Sequence, residues 1–161
     1  MSLTFTPMTK ANAKAIFQWH YEPPYDTYNI EADDVADAIN FFVAPQNNYY
    51  AITHALGELT AFCCFGYDAQ VPGGDYRDDA LDIGLGVRPN LTGRGNGLHY
   101  VNAVLDFARQ RFSPTQFRVT IAAFNGRAQR VWQKAGFELT QTFRANRGGR
   151  TFVVMTRKGV S

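Results

Sequence analysis

The segment Ile83-Gly84-Leu85-Gly86-Val87-Arg88-Pro89-Asn90-Leu91-Thr92-Gly93-Arg94-Gly95-Asn96-Gly97 limits the possible folds more than any other part of the chain. An apolar strand runs into a glycine-rich, basic turn, and a long helical pattern begins at about Gly95 to Gly97. Small residues let the main chain approach a ligand closely. A helix start offers unpaired N–H groups and the positive end of its dipole. Together these features suit a phosphate or pyrophosphate. Two other glycine loops do not match. A dinucleotide-binding Gly-x-Gly-x-x-Gly begun at Gly93 would need glycine at Leu98, and no acidic ribose clamp lies in a following strand. A P-loop ends in Gly-Lys-Ser/Thr, and this turn has no lysine.

A second motif lies downstream: Asn125-Gly126-Arg127-Ala128-Gln129-Arg130-Val131-Trp132-Gln133-Lys134-Ala135-Gly136-Phe137. The first segment resembles the acetyl-CoA motif of the GNAT family of N-acetyltransferases, Gln/Arg-x-x-Gly-x-Gly/Ala after a Val-x-Pro-type strand end. Val87-Arg88-Pro89 is the strand exit, Gly95 and Gly97 fill the glycine positions, and Thr92 stands where Gln or Arg is usual. The second resembles the family's Asn-x-x-Ala-x-x-x-Tyr-x-x-x-Gly-Phe. The two motifs occur in the family's order and cover residues 80–140; elsewhere the likeness rests on element order alone.

The resemblance implies an acetyl-CoA site and no metal. Main-chain groups of Leu85, Gly86 and Val87 would pair with the pantetheine arm as an added strand does. Thr92, Gly93, Arg94, Gly95, Asn96 and Gly97 would hold the pyrophosphate. Asn125 would contact pantetheine or cap a helix, and its position fits either role. Arg94, Arg127 and Arg130 are candidates for coenzyme A phosphates, with Arg94 inside the motif and Arg130 the expected helix contact.

Size points to one domain over 1–161. A hydrophobic content of 45% is ordinary for a globular protein. No apolar run reaches transmembrane length, and Met1 to Thr9 carry no secretory pattern, so a cytoplasmic location without membrane contact is expected. Cys63 and Cys64 are strand neighbours that point to opposite faces, and they read as packing residues.

The net charge of +2 is unevenly placed. From Ala15 to Tyr76 there is no Lys or Arg, and Glu22, Asp26, Glu31, Asp33, Asp34, Asp37, Glu58, Asp68 and Asp75 give −9. Residues 77–161 hold 14 basic and 5 acidic residues, which is +9. A basic half suits an anionic carrier, and an acidic half suits a cationic amine acceptor. No nucleic-acid reader motif accompanies the basic half.

Hydrophobic periodicity and turn residues predict the elements. They are a strand over Leu3 to Pro7, a helix from Thr9 to about Trp19 with Ala15, Ile16 and Trp19 on one face, and an aromatic loop over His20 to Asn29. A helix follows over Asp33 to Phe42, then strands over Tyr49 to Thr53 and Leu59 to Tyr67, and a polar loop over Val71 to Asp79. The carrier strand spans Ala80 to Arg88, and the next helix Gly95 to Arg111, with Leu98, Val101, Leu105, Ala108 and Phe112 inward. A strand over Gln116 to Ala123, a helix over Asn125 to Ala135 and a final hairpin complete the chain. That order is the GNAT order. The resemblance therefore implies an α/β fold, with a central mixed, mostly antiparallel sheet splayed between its fourth and fifth strands and about four flanking helices.

For chemistry, the resemblance implies direct transfer of acetyl from the thioester to a primary amine, with the Val87 N–H at the developing oxyanion. Strand alternation puts Asp82, Gly84 and Gly86 on one side, and relatives often carry Glu at the place of Asp82, so Asp82 is the expected base. Thr120 stands at another place where relatives carry Glu. Trp132 replaces the tyrosine that often donates a proton, and indole has no such acidity; Tyr21, Tyr25 and Tyr28 are alternatives by location. Trp19, Tyr21, Glu22, Tyr25, Asp26 and Tyr28 form an aromatic, acidic stretch suited to a cationic acceptor. The rival reading is a non-catalytic acyl-CoA-binding sensor or regulatory module. A homodimer is one assembly the sequence leaves open.

Overall fold

The computed structural model describes residues 2–159. The elements are β1 Leu3–Pro7, α1 Lys10–Phe17, α2 Val35–Val43, β2 Tyr49–His54, β3 Leu59–Phe65, β4 Leu81–Val87, α3 Gly97–Phe112, β5 Gln116–Ala122, α4 Gly126–Lys134, β6 Glu138–Arg144 and β7 Thr151–Lys158. This is the order expected from the sequence. The strands hydrogen-bond in the order β1-β2-β3-β4-β5-β7-β6. The β4–β5 pair is parallel, and β1–β2, β2–β3, β5–β7 and β6–β7 are antiparallel. β3 and β4 run oppositely too, because Gly66 N–H donates to the Asp82 carbonyl and Arg88 N–H to the Thr60 carbonyl. The parallel ladder joins Leu81, Asp82 and Ile83 to Phe117, Arg118 and Val119, whereas β4 itself continues to Val87.

The chain forms two compact units, divided at the end of β3, within β4 and again after Thr92. The first holds the chain up to Cys64 and Leu85–Thr92. Its core is Ala13 and Ile16 of α1, Ile39 of α2, and Ala51, Ile52, Ala61 and Cys63 of β2 and β3. An aromatic cluster joins them: Phe42 stacks on Tyr49 at 4.2 Å and meets Phe17 edge-on at 4.9 Å. The second holds Phe65–Gly84 and the chain from Gly93 onward. There α3 buries Tyr100, Val101, Val104, Leu105 and Ala108, beside Phe117 and Val119 of β5 and Val154 and Met155 of β7.

Capping explains the helix ends. Thr9 Oγ1 accepts the Asn12 N–H at 3.1 Å, and Asp34 Oδ1 accepts the Asp37 N–H at 3.1 Å. After α4, Gly136 adopts φ +97°, with its N–H on the Gln133 carbonyl and the Phe137 N–H on the Trp132 carbonyl. That is the double bond of a Schellman ending.

Three details differ from expectation. α1 stops at Phe17 because the N–H groups of Gln18 and Trp19 bond three residues back, to Ala15 and Ile16, which tightens the last turn. Ala13 rather than Ala15 is buried with Ile16. The buried stripe of α3 also includes Tyr100 and Val104, while Leu98 and Phe112 are only half-buried.

Candidate functional site

Alternation along β4 decides which main-chain groups are on offer. Asp82 and Arg88 direct theirs at β3, so Gly86, in phase with them, does the same. Leu85 and Val87 present theirs at the opposite edge. Of the three residues expected to pair with pantetheine, these two have the suitable direction. Gly86 contributes its lack of a side chain instead, since a Cβ there would run into the Phe62 ring. Val87 already has one partner: its carbonyl accepts the Tyr21 hydroxyl at 2.6 Å. Burial pushes the Tyr21 phenol up to about 12.

The exit of β4 is braced by charge. Arg88 donates to Asn90 Oδ1 at 2.7 Å and to the Leu59 carbonyl at 3.0 Å, and pairs with Glu58 at 2.5 Å. Glu58 also meets His54 Nε2 at 2.8 Å, while His54 Nδ1 accepts the Leu56 N–H at 2.9 Å. Nε2 therefore carries the ring proton and donates to Glu58. The His54 and Arg88 hydrogen bonds hold the Glu58 carboxyl below its ordinary range. Thr92 Oγ1 donates to the Pro89 carbonyl at 2.8 Å, so its side chain closes the turn.

The glycine turn follows. Gly93 and Gly95 have φ +71° and +80°, conformations that favour glycine. Asn96 precedes α3 without a side-chain cap bond, which leaves the first-turn N–H groups uncovered by their own cap. A Cβ on Gly97 would lie 3.0 Å from Val131, so this glycine lets α3 and α4 approach. A Cβ on Gly93 would lie 2.8 Å from Arg127 Nη1, so the Arg127 guanidinium lies against the turn. Arg130 folds back beside Gly126, and Arg94 is exposed. Thus Arg127 is at the turn, whereas the sequence put Arg94 first and named Arg130 as the helix contact. Helical side chains lean toward the N-terminus, and that rule favours the earlier arginine. Asn125 is 8% exposed and caps α4, its Oδ1 accepting the Ala128 N–H at 3.0 Å.

For Asp82 the geometry points away from the expected base. Arg118 Nε and Nη2 donate to its two oxygens at 2.6 and 2.8 Å, and Gln70 Nε2 adds a third bond at 2.8 Å. Asp82 and Arg118 are 3% and 4% exposed. Both carboxylate oxygens already have donors and the pair is shielded from solvent, so an incoming amine has little access to them. Asp82 in turn raises the Arg118 pKa. Trp132 is buried edge-on against Phe137 at 4.9 Å. One residue that the sequence left within a polar loop stands out: the Tyr76 hydroxyl is 2.9 Å from Thr120 Oγ1. No sequence signal marks it.

In the aromatic loop, Asn29 Oδ1 accepts the Tyr21 N–H at 2.6 Å. Tyr21, Glu22 and Tyr25, with His20, Pro23, Pro89 and Thr92, line a cleft of about 320 Å³. Trp19 lies instead on Phe62 at 6.0 Å, Tyr28 meets the Tyr21 ring edge-on at 6.4 Å, and the Asp26 carbonyl closes the loop on the Asn29 N–H. Among the described residues, no cluster of three or more His, Cys, Asp or Glu could hold a metal, and no helix is long and apolar enough to cross a membrane. Cys63 and Cys64 are both buried thiols.

The sequence model described as the Acetyltransferase (GNAT) domain matches residues 2–138. The chain belongs to the GNAT acetyltransferase family. No curated protein matches it. Among solved structures it is similar to the spermidine N-acetyltransferase from Vibrio cholerae in complex with CoA and spermine, with a TM-score of 0.75 at 14% identity over 98% of this chain and 95% of that one. Aminoglycoside acetyltransferase AAC(6')-Ib in complex with paromomycin and acetyl-CoA gives 0.76 at 20% identity over 98% and 94%. A GNAT-family acetyltransferase from Bacillus anthracis gives 0.74 at 13% over 99% and 96%. At these identities the likeness establishes the shared fold of this GNAT member.

Proposed function

We propose that residues 1–161 act as one GNAT domain that transfers acetyl from acetyl-CoA to a primary amine, on a small cationic molecule or a peptide. The observation that carries this reading is the run Leu85 to Gly97. It has two strand residues facing away from β3, a turn with positive φ at Gly93 and Gly95, an arginine against that turn, and a helix start without a side-chain cap. The residues fit the carrier. Leu85 and Val87 would take the pantetheine amides, the Gly93–Gly97 N–H groups the pyrophosphate, and Arg127 its charge. Acetyl-CoA supplies the activated acyl group. The Val87 N–H would steady the oxyanion. The peptide on its C-terminal side is held at both ends, by Tyr21 at the carbonyl and Thr60 at the Arg88 N–H.

Glu22, Tyr21 and Tyr25 line the cleft assigned to the acceptor, where a carboxylate and aromatic faces suit an ammonium group. Solved relatives named for spermidine and aminoglycoside acetylation support a polyamine or amino-sugar acceptor. Asp82 serves here to anchor β4 to β5, and water carries away the amine proton. We place the protein in the cytoplasm.

The test is release of free coenzyme A thiol from acetyl-CoA over a panel of polyamines, amino sugars and peptides, with carrier binding measured by calorimetry. Acceptor-dependent release is the expected result. Binding without release on any amine would favour the sensor reading, which Trp132 in place of tyrosine supports. No binding would overturn both.

A further inference from the structure

β4 and β5 carry the Asp82–Arg118 pair at matched positions of their parallel ladder. Two residues further along each strand, on the same face, come Gly84 and Thr120. Gly84 brings no side chain to that level. The hydroxyl found there is that of Tyr76, 2.9 Å from Thr120 Oγ1 and accepting the Val71 N–H at 3.0 Å.

The loop is shaped around this ring. A Cβ on Gly74 would lie 2.8 Å from Tyr76 Cε2. Gln141 clasps the preceding residue from both sides, accepting the Asp75 N–H at 2.9 Å and donating to its carbonyl at 3.2 Å. Phe143 meets the Tyr76 ring edge-on at 6.5 Å. The Arg118 guanidinium lies over the ring, 4.9 Å from its centroid. The charged groups around it are Arg118 and Asp82 on the strands, and Asp75, Arg77 and Asp78 on its own loop.

We propose that Tyr76 is the proton donor of the acetyl transfer; this rests on the N-acetyltransferase reading. The neutral amine nitrogen attacks the thioester carbonyl carbon. A C–N bond forms, the C–S bond breaks, and its electron pair leaves on sulfur. The thiolate takes the phenolic proton of Tyr76, and the phenolate regains a proton, through water, from the acylated nitrogen. The sum is amide plus free thiol with no further reactant. The Val71 N–H bonds the phenolic oxygen, and the Arg118 guanidinium lies over the ring. Thr120 adds a reversible partner. When the Thr120 hydroxyl donates to the Tyr76 oxygen, the phenolic proton is free to be given up; when it accepts, that proton is held in the bond.

The experiment compares the kcat–pH profile, acetyl-CoA binding and melting of the wild type, Tyr76→Phe and Thr120→Val. For Tyr76→Phe the expected result is a fall in kcat of about 100-fold and loss of the alkaline limb, with carrier Kd nearly unchanged and Tm lowered only by the loss of its two hydrogen bonds. Thr120→Val keeps the limb and loses a few-fold in kcat. A Tyr76→Phe enzyme that keeps the wild-type kcat, or loses rate with the limb intact, overturns the assignment while leaving the acetyltransferase reading in place. If Tyr76→Phe does not fold, Thr120→Val with wild-type rate and profile overturns it. A wild type that releases thiol with no amine overturns the acetyltransferase reading, and this assignment falls with it.

Discussion

The Tyr21 hydroxyl and the Val87 carbonyl lie 2.6 Å apart, joining the aromatic loop to the last residue of the carrier strand across 66 positions of sequence. The bond fixes the peptide that follows Val87. Tyr21→Phe removes it and leaves a half-buried carbonyl short of a partner, a cost of about 1 kcal/mol. The phenol has a folded pKa of about 12 against an ordinary 10.0. Below pH 10 both states keep the proton, so the neutral-phenol contribution is fully present. It is lost as pH rises from 10 through 12, where the unfolded chain ionises first. After discounting for solvent, it is about 1–2 kcal/mol. Melting curves at pH 8 and pH 11 should show wild type and Tyr21→Phe converging at the higher pH; a constant gap would refute the burial effect.

Asp82→Asn leaves Arg118 buried and charged without its counter-ion. Breaking a buried pair costs about 3–5 kcal/mol, so a marked drop in urea midpoint is expected. An unchanged midpoint with lost activity would restore Asp82 as the base.

Gly86→Ala places a methyl group into the Phe62 ring. Overpacking of this kind costs about 1–3 kcal/mol. Because Phe62 also touches Trp19 and Phe42, relaxation should spread through the cluster. Denaturant unfolding and tryptophan emission would report it, and native-like values for both would show that the ring yields freely.

Arg127→Ala should weaken coenzyme A binding about 5- to 10-fold at low salt, with the loss shrinking as ionic strength rises. Arg130→Ala should change it less than 2-fold by the same screening argument. Calorimetric titration of both variants checks the order; equal losses would place both arginines at the phosphates.

Burial pushes the Cys63 thiol well above its ordinary range. Native protein at pH 8 should resist iodoacetamide at Cys63, and unfolded protein should react. Mass spectrometry of the intact and digested chain distinguishes the two.

Much of this was legible locally. Thr9 and Asp34 read as caps and serve as caps, Gly136-Phe137 read as a helix ending and makes the Schellman bonds, and the glycines at 93 and 95 occupy the left-handed turn they suggested. Each of these signals depends on neighbours within a few residues. For Asp82, strand alternation gives its face but not its partner, because Arg118 is 36 residues away. Tyr76 went unmarked because nothing in Gly73-Gly74-Asp75-Tyr76 discloses that Gln141 and Phe143 will hold that loop in place.

The sequence by itself determined the element order, the helix caps and the glycine turn, since these follow from φ, ψ and hydrogen bonds that a short stretch of chain satisfies alone. The tertiary structure decided which arginine meets the turn, which edge of β4 presents free-facing peptides, which carboxylate is spent on an ion pair and which tyrosine reaches Thr120. Those outcomes depend on desolvation and on contacts between distant residues, and both come into being only when the strands are laid side by side.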